Sequence, residues 1–260
     1  KFKEETNTID EEKQIKSLFE QFELVNEKNQ YTRESDTESI LNKFKEIKEK
    51  YKSLTEEEIK KGKYDAEKSE SIIPFIMEGV KQWKGYTLRD TQLLSLILLS
   101  EKKSKGRILE IATGEGKSLI IACLAIILAK QGKQVDIVTS SEILVMKDSN
   151  EMKKFYKYFD LTCDNNIECK ADSDGQKKCY KKNIVSGKSH SFSADLLSDE
   201  YKHEGTKCGR KFDVLIIDEI DNMFVDEHST STLLSSTKPY MDRLNIIFIA
   251  IYNQFETIKK

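Results

Sequence analysis

Gly114-Glu115-Gly116-Lys117-Ser118 is the stretch whose residue types and spacing point most directly to chemistry. Two glycines one residue apart let backbone N–H groups crowd around an anion. The lysine after them adds positive charge, and the hydroxyl can ligate a divalent cation. Together they make a polyphosphate cradle, opened by Thr113, with Lys117 placed for the β- and γ-phosphates and Ser118 for Mg²⁺. Position 111 is Ile, so the first glycine of the longer G-x-x-x-x-G-K-[ST] pattern is absent. A glycine turn beside a stray lysine is the plain alternative, and the flanks argue against it. Arg107–Ile111 is a short apolar run that predicts a buried strand, and Lys117–Gln131 is apolar nearly all round, as a buried helix would be.

A second chemical element stands about a hundred residues on. Val214-Leu215-Ile216-Ile217 predicts a strand that delivers Asp218 and Glu219 at its C-terminal end. In a nucleotide-binding sheet that end is where acids are needed. Asp218 would hold Mg²⁺, and Glu219 would orient and deprotonate an attacking water. Upstream, Tyr86, Arg89 and Gln92 precede an apolar helix. A Gln amide both donates and accepts, so Gln92 could read the edge of an adenine. The expected ligands are therefore ATP or ADP with Mg²⁺.

The elements that must position these groups follow from pattern. Short apolar runs at Arg107–Ile111, Val135–Thr139, Asn183–Ser186 and Asp213–Ile217 alternate with longer helical stretches. Such alternation predicts a parallel sheet with crossover helices, an α/β class. Ahead of it, residues 1–70 carry 15 basic and 19 acidic side chains. Apolar residues still recur there at helical spacing, from Ile15 to Val25 and from Ile40 to Leu54. Capping-box patterns stand at Thr8 to Glu11 and Thr55 to Glu58. Amphipathic helices are expected, then a helix beginning near Pro74, with Ile76, Val80 and Trp83 as its buried stripe and Gly85 as its end. The last expected helix is Met241–Lys260. These boundaries divide the chain into a charged helical lead-in (1–72), a nucleotide-binding domain (73–236) and the start of a following region (237–260).

Composition excludes several classes. Charged residues make up 34% of the 260, yet 43 Lys and Arg nearly balance 45 Asp and Glu. A net charge of -2 gives no general field for nucleic acid. The longest apolar run, Leu119 to Ala129, is far short of the roughly 20 residues that span a bilayer. The five cysteines are odd in number and lack C-x-x-C spacing, so no disulfide framework is expected and a reducing, cytoplasmic compartment is the default. The gaps between Cys163, Cys169, Cys179 and His190 match no zinc finger or ribbon. The chain opens on Lys1, which reads as a piece of something longer.

With these elements placed, the chain resembles the SecA preprotein-translocase ATPase family, specifically its N-terminal DEAD-like nucleotide-binding domain. Leu109 to Leu119 resembles the family's phosphate loop, including its Thr-Gly-Glu-Gly. Gly85-Tyr86 with Asp90 and Gln92-Leu93-Leu94 resembles its adenine motif. Val138-Thr139 with Leu144 and Asp148 follows its Thr-Val-Asn-Asp-Tyr-Leu-Ala segment. Gly187, Phe192, Asp195, Leu197 and Asp199 keep the spacing of its Gly-Phe-Asp-Tyr-Leu-Arg-Asp. Asp218 to Glu227 is close to its Asp-Glu-Val-Asp-Ser-Ile-Leu-Ile-Asp-Glu. The resemblance implies a P-loop, RecA-like sheet, a first motor lobe, and ATP hydrolysis coupled to polypeptide movement. It also implies partners in other domains of the same or a neighbouring protein, with peripheral membrane contact.

Three departures bear on that expectation. Ser198 stands where the family has Arg, Ser229 and Ser231 replace an Arg-Thr-Pro pattern around Thr230, and Lys147 replaces another Arg. Serine cannot imitate a bidentate guanidinium, so coupling to a translocated polypeptide is put in question while nucleotide binding is not. The alternative is a nucleotide-binding scaffold domain of a larger assembly with little turnover. A nucleic-acid helicase shares the Asp-Glu-x-Asp signature, but no basic stripe interleaved with aromatics supports it here.

Overall fold

In this computed structural model, residues 37–101 and 106–223 are described, together with the isolated helical positions 13, 16, 17, 249 and 252. The Thr8–Glu11 cap, the Ile15–Val25 stripe, Phe224 to Glu227 and Ser229 to Ser235 lie outside the described residues. So do most of Met241–Lys260.

Among the described residues four helices precede the α/β part: α1 (Thr37–Ser53), α2 (Glu56–Lys61), α3 (Ser69–Lys84) and α4 (Asp90–Ser100). Thr55 caps α2 with the expected reciprocal box. The Glu58 N–H donates to Thr55 Oγ1 at 3.4 Å, and the Thr55 N–H to Glu58 Oε2 at 3.0 Å. Ile40, Phe44 and Ile47 on α1 are buried in one cluster with α3, α4 and the later helices. Helix α3 starts at Ser69, five residues ahead of the predicted Pro74, so the proline sits inside it. Ile72 and Ile73 are fully buried; sinking them into the core outweighs the single backbone bond that Pro74 cannot donate. Gly85 ends α3 as expected, at φ +79, donating to the Lys81 carbonyl at 2.8 Å.

The α/β part follows as α5 (Lys117–Lys130), β1 (Val135–Thr139), α6 (Glu142–Tyr158), β2 (Cys163–Asn165), a 3₁₀ turn (Lys178–Lys181), β3 (Ile184–Lys188), α7 (Ser189–Tyr201) and β4 (Val214–Ile217). The four strands form one parallel sheet in the order β2-β3-β1-β4. Every residue of β1 is buried, as a central strand covered on both faces must be. Side chains alternate across β3: Ile184 joins the main core, while Val185 packs with Cys179, Tyr180 and Phe192 in a second small cluster. This is the predicted α/β, P-loop (RecA-like) class of parallel sheet with flanking helices.

One predicted strand is absent among the described residues. Arg107–Ile111 is extended, with exposure alternating along it, but joins no ladder. Ile108 is 83% exposed, and Leu215 on β4 is 56% exposed. The expected buried strand is therefore not formed: a strand needs a neighbour with which to exchange backbone bonds, and none of these residues is buried.

At the opposite, N-terminal end of the sheet, Arg210 binds the elements together. Its Nε donates to Asp136 Oδ1 at 2.8 Å, and its Nη2 to the carbonyls of Val135 at 2.9 Å and Asn183 at 3.2 Å. Its Nη1 donates to the carbonyls of Tyr180 and Lys182. Arg210 and Asp136 are both almost wholly buried.

Candidate nucleotide site

The C-terminal ends of β1 and β4 bring the acids to one edge. The strands run parallel with Val138 opposite Ile217, and the Asp218 N–H donates to the Val138 carbonyl at 2.9 Å. Beyond those ends the Ser140 hydroxyl donates to Glu219 Oε2. Glu219 itself stands at φ +56, a left-handed conformation that costs a non-glycine residue roughly 1–2 kcal/mol. That strain turns the chain sharply at the strand end and leaves the Glu219 side chain exposed.

The phosphate-loop residues meet the segment ahead of α4. Gly114 and Gly116 both have positive φ, +87 and +77. Gly116 leads straight into α5, and no side chain caps that helix. An uncapped N-terminus with its dipole pointing outward is suited to an anion. Gln92 Nε2 donates to the Glu115 carbonyl at 2.8 Å, while Gln92 Oε1 accepts the Arg89 N–H at 3.1 Å. A Cβ on Gly116 would come within 2.7 Å of Gln92 Nε2. Arg89 reaches across the loop, Nη1 lying 3.3 Å from Glu115 Oε2 and Nη2 3.5 Å from the Gly114 carbonyl. Thr91 Oγ1 donates to the same Glu115 carboxylate at 3.4 Å. Gln92 therefore spends both ends of its amide on backbone, and Arg89 lies against the loop. Tyr86 stands 54% exposed on the turn after α3, and Thr113 is exposed at the loop's opening.

Charge converges on Asp218. Burial pushes its carboxyl up from the ordinary 3.8, and the adjacent Glu219 adds to the rise; Lys117 and a backbone hydrogen bond oppose it, and Asp148 raises it further. Burial also raises Asp148, against a hydrogen bond from Ser118. Lys117 and Asp148 thus both act on Asp218, and Ser118 acts on Asp148. Asp148 and Ser140 were not among the predicted site residues. The strand-end rule could have found Ser140, one residue past β1. Asp148 sits on a helix thirty residues from Ser118, and in the sequence only the family resemblance marks it.

Oxygen donors from Ser118, Asp148 and Asp218 suit Mg²⁺, which takes only one or two protein carboxylates beside phosphate and water. Among the described residues no three His, Cys, Asp or Glu side chains converge as a metal cage.

The family model for the SecA DEAD-like domain matches residues 4–258. The chain belongs to that family. The SecA protein translocase subunit of Campylobacter fetus is 28% identical over 228 residues, covering 86% of this chain and 25% of that protein. That of Campylobacter concisus is 33% identical over 147 residues, 56% of this chain and 16% of the relative. That of Koribacter versatilis is 32% identical over 173 residues, 64% and 17% respectively. This SecA DEAD-like chain therefore spans a quarter or less of the length of these relatives. Among its described residues no helix is long and apolar enough to cross a membrane.

Proposed function

We propose that this chain is the first nucleotide-binding lobe of a SecA-type ATPase, binding Mg-ATP at the C-terminal edge of its sheet. The observation that carries the reading is the uncapped N-terminus of α5 behind Gly114 and Gly116, whose first residue, Lys117, acts on the Asp218 carboxyl at the end of β4. The open N-terminus of α5 and the loop N–H groups bind phosphate oxygens, and Lys117 neutralises their charge. Ser118 and Asp218 hold Mg²⁺, with Asp148 orienting the Ser118 hydroxyl. Bound Mg²⁺ supplies charge neutralisation at the transferring phosphoryl group. Glu219 accepts the proton of the attacking water, its carboxylate steadied by Ser140. Gln92 and Arg89 tie the base-reading segment to the loop, so that an adenine contact there would be felt at the phosphates.

Hydrolysis at useful rates needs more positive charge near the γ-phosphate than the described residues offer. Arg210 is buried at the far end of the sheet, Arg107 bonds Glu101, and Arg89 is paired with Glu115. An arginine from a second lobe can supply 10³–10⁵ in rate. We assign turnover, and its coupling to polypeptide movement, to assembly with such a lobe at the cytoplasmic face of a membrane. Titration with a fluorescent ATP analogue and Mg²⁺ tests the reading: saturable binding that Lys117→Ala abolishes, with an unchanged circular dichroism spectrum, is expected. Equal affinity in both proteins overturns it.

A further inference from the structure

Two of the five cysteines meet in the long loop between β2 and β3, away from the nucleotide site. Cys169 Sγ accepts the backbone N–H of Cys179 at 3.2 Å. Both sulfurs belong to the small cluster formed with Tyr180, Val185 and Phe192. The ten-residue separation is closed by a turn: the Asp172 N–H donates to the Gln176 carbonyl at 2.9 Å, and the Gly175 N–H to the Asp172 carbonyl at 3.0 Å. The Asp172 carboxylate fastens this turn by accepting the N–H groups of Asp174 and Gln176 at 3.1 and 3.0 Å. A sulfur resting on the next cysteine's own backbone nitrogen is within reach of a Cβ–Cβ separation of roughly 3.5–4.5 Å, which a disulfide requires.

We propose that Cys169 and Cys179 are a redox-responsive dithiol that closes to an intramolecular disulfide under a low-molecular-weight disulfide oxidant. The accessible partner is Cys169, which is half-buried, whereas Cys179 is fully buried. The Cys169 thiolate attacks one sulfur of the oxidant, forming a mixed disulfide and expelling one oxidant thiolate. The Cys179 thiolate then attacks Cys169 Sγ, forming the internal bond and expelling the second oxidant thiolate. The two protons lost by the cysteines end on the two released thiolates. The protein dithiol is oxidised by two electrons and the oxidant is reduced by two. Burial and the adjacent Cys169 disfavour the Cys179 thiolate, and neighbouring Lys177 favours it.

Of the remaining sulfurs, that of Cys208 lies against the same loop but is bonded to its backbone, and the other two are on other elements. Cys208 Sγ donates to the Lys177 carbonyl at 3.5 Å, Cys163 Sγ to the Ser149 carbonyl at 4.0 Å, and Cys123 is wholly buried on α5. The disulfide would clamp the loop whose next residue, Tyr180, donates to Asp195 Oδ2 of α7 at 2.7 Å. Oxidation therefore tightens the packing of α7 on the sheet and constrains the unfolded chain.

The whole chain is incubated with glutathione disulfide, its free thiols are counted in denaturant, and non-reducing peptides are mapped by mass spectrometry. The thiol count is expected to fall from five to three, with Cys169 joined to Cys179 and a Tm that rises on oxidation and returns with reductant. Cys208→Ser should still form the bond, whereas Cys169→Ser should form none. A count that stays at five, or a linkage mapping to Cys163 or Cys208, overturns the proposal. The wild-type peptide map decides even if a serine variant fails to fold.

Discussion

The Ser140 hydroxyl donates to the Glu219 carboxylate across the C-terminal ends of two neighbouring parallel strands, β1 and β4. This bond aims a strained, exposed acid at the edge of the sheet. Glu219→Gln keeps an acceptor oxygen for Ser140 and nearly the same shape, so nucleotide affinity should hold. Removing the base should slow hydrolysis by the full-length protein by about 10²–10⁴. Ser140→Ala, which only unsteadies the carboxylate, should slow it by roughly threefold to tenfold. Steady-state phosphate release decides, and a Glu219→Gln protein working at the parent rate means another group takes the proton.

Gly116→Ala should separate loop shape from fold. The new Cβ would stand 2.7 Å from Gln92 Nε2 on a backbone at φ +77. Either Gln92 releases the Glu115 carbonyl or the loop leaves the left-handed region that only glycine adopts freely. Gly116 is exposed, so the lobe itself should lose no more than about 1–2 kcal/mol. Nucleotide affinity should fall at least tenfold, about 1.4 kcal/mol. Fluorescent-nucleotide titration beside thermal melts checks the pair of outcomes.

Much of this was legible because the signals were local. Val135–Thr139, broken only by Asp136, and Val214–Ile217 are short β-branched or aliphatic runs bounded by polar residues, and the sheet uses both. The loop glycines and the Asp218-Glu219 pair announce themselves by type and spacing. Arg107–Ile111 misled because ladder formation depends on a partner strand that no local pattern reports. Pro74 misled because deep burial of Ile72 and Ile73 set the helix start, a tertiary effect. The Ser118–Asp148 bond and the Arg89–Glu115 pair were hidden for the same reason: each exists only once two distant segments are folded together.

Gly187 on β3 should be intolerant of a methyl group. An added Cβ would fall 2.1 Å from Asn166 Oδ1 and 2.8 Å from Phe192 Cε2. Asn166 cannot easily retreat, because its Nδ2 donates to Tyr180 Oη at 3.1 Å and to Asp195 Oδ2 at 3.3 Å. Gly187→Ala should therefore cost about 1–3 kcal/mol, the usual range for overpacking a filled site. Urea denaturation measures it. A variant as stable as the parent would show that the network can shift as a body.

Arg210 and Asp136 make the most demanding test of what holds the sheet's N-terminal end. Both are almost fully buried, and the guanidinium also serves four backbone carbonyls. Arg210→Ala leaves a buried carboxylate without its cation and those carbonyls short of a donor, which should cost about 3–5 kcal/mol at about pH 7. Burial already pushes the Asp136 carboxyl above 3.8 against the pull of Arg210, and removing the cation raises it further. A carboxyl whose folded value lies above its unfolded one stabilises at low pH, and that stabilisation is lost as pH rises through the folded value. The deficit of Arg210→Ala should therefore shrink from about pH 7 to about pH 5, while Asp136→Asn should remove that dependence. Replacing both partners by apolar side chains, as in Arg210→Met with Asp136→Leu, should recover part of the loss by removing the unpaired charge. Denaturation curves at the two pH values decide, and a deficit that grows in acid would show that Asp136 stays ionised without its partner.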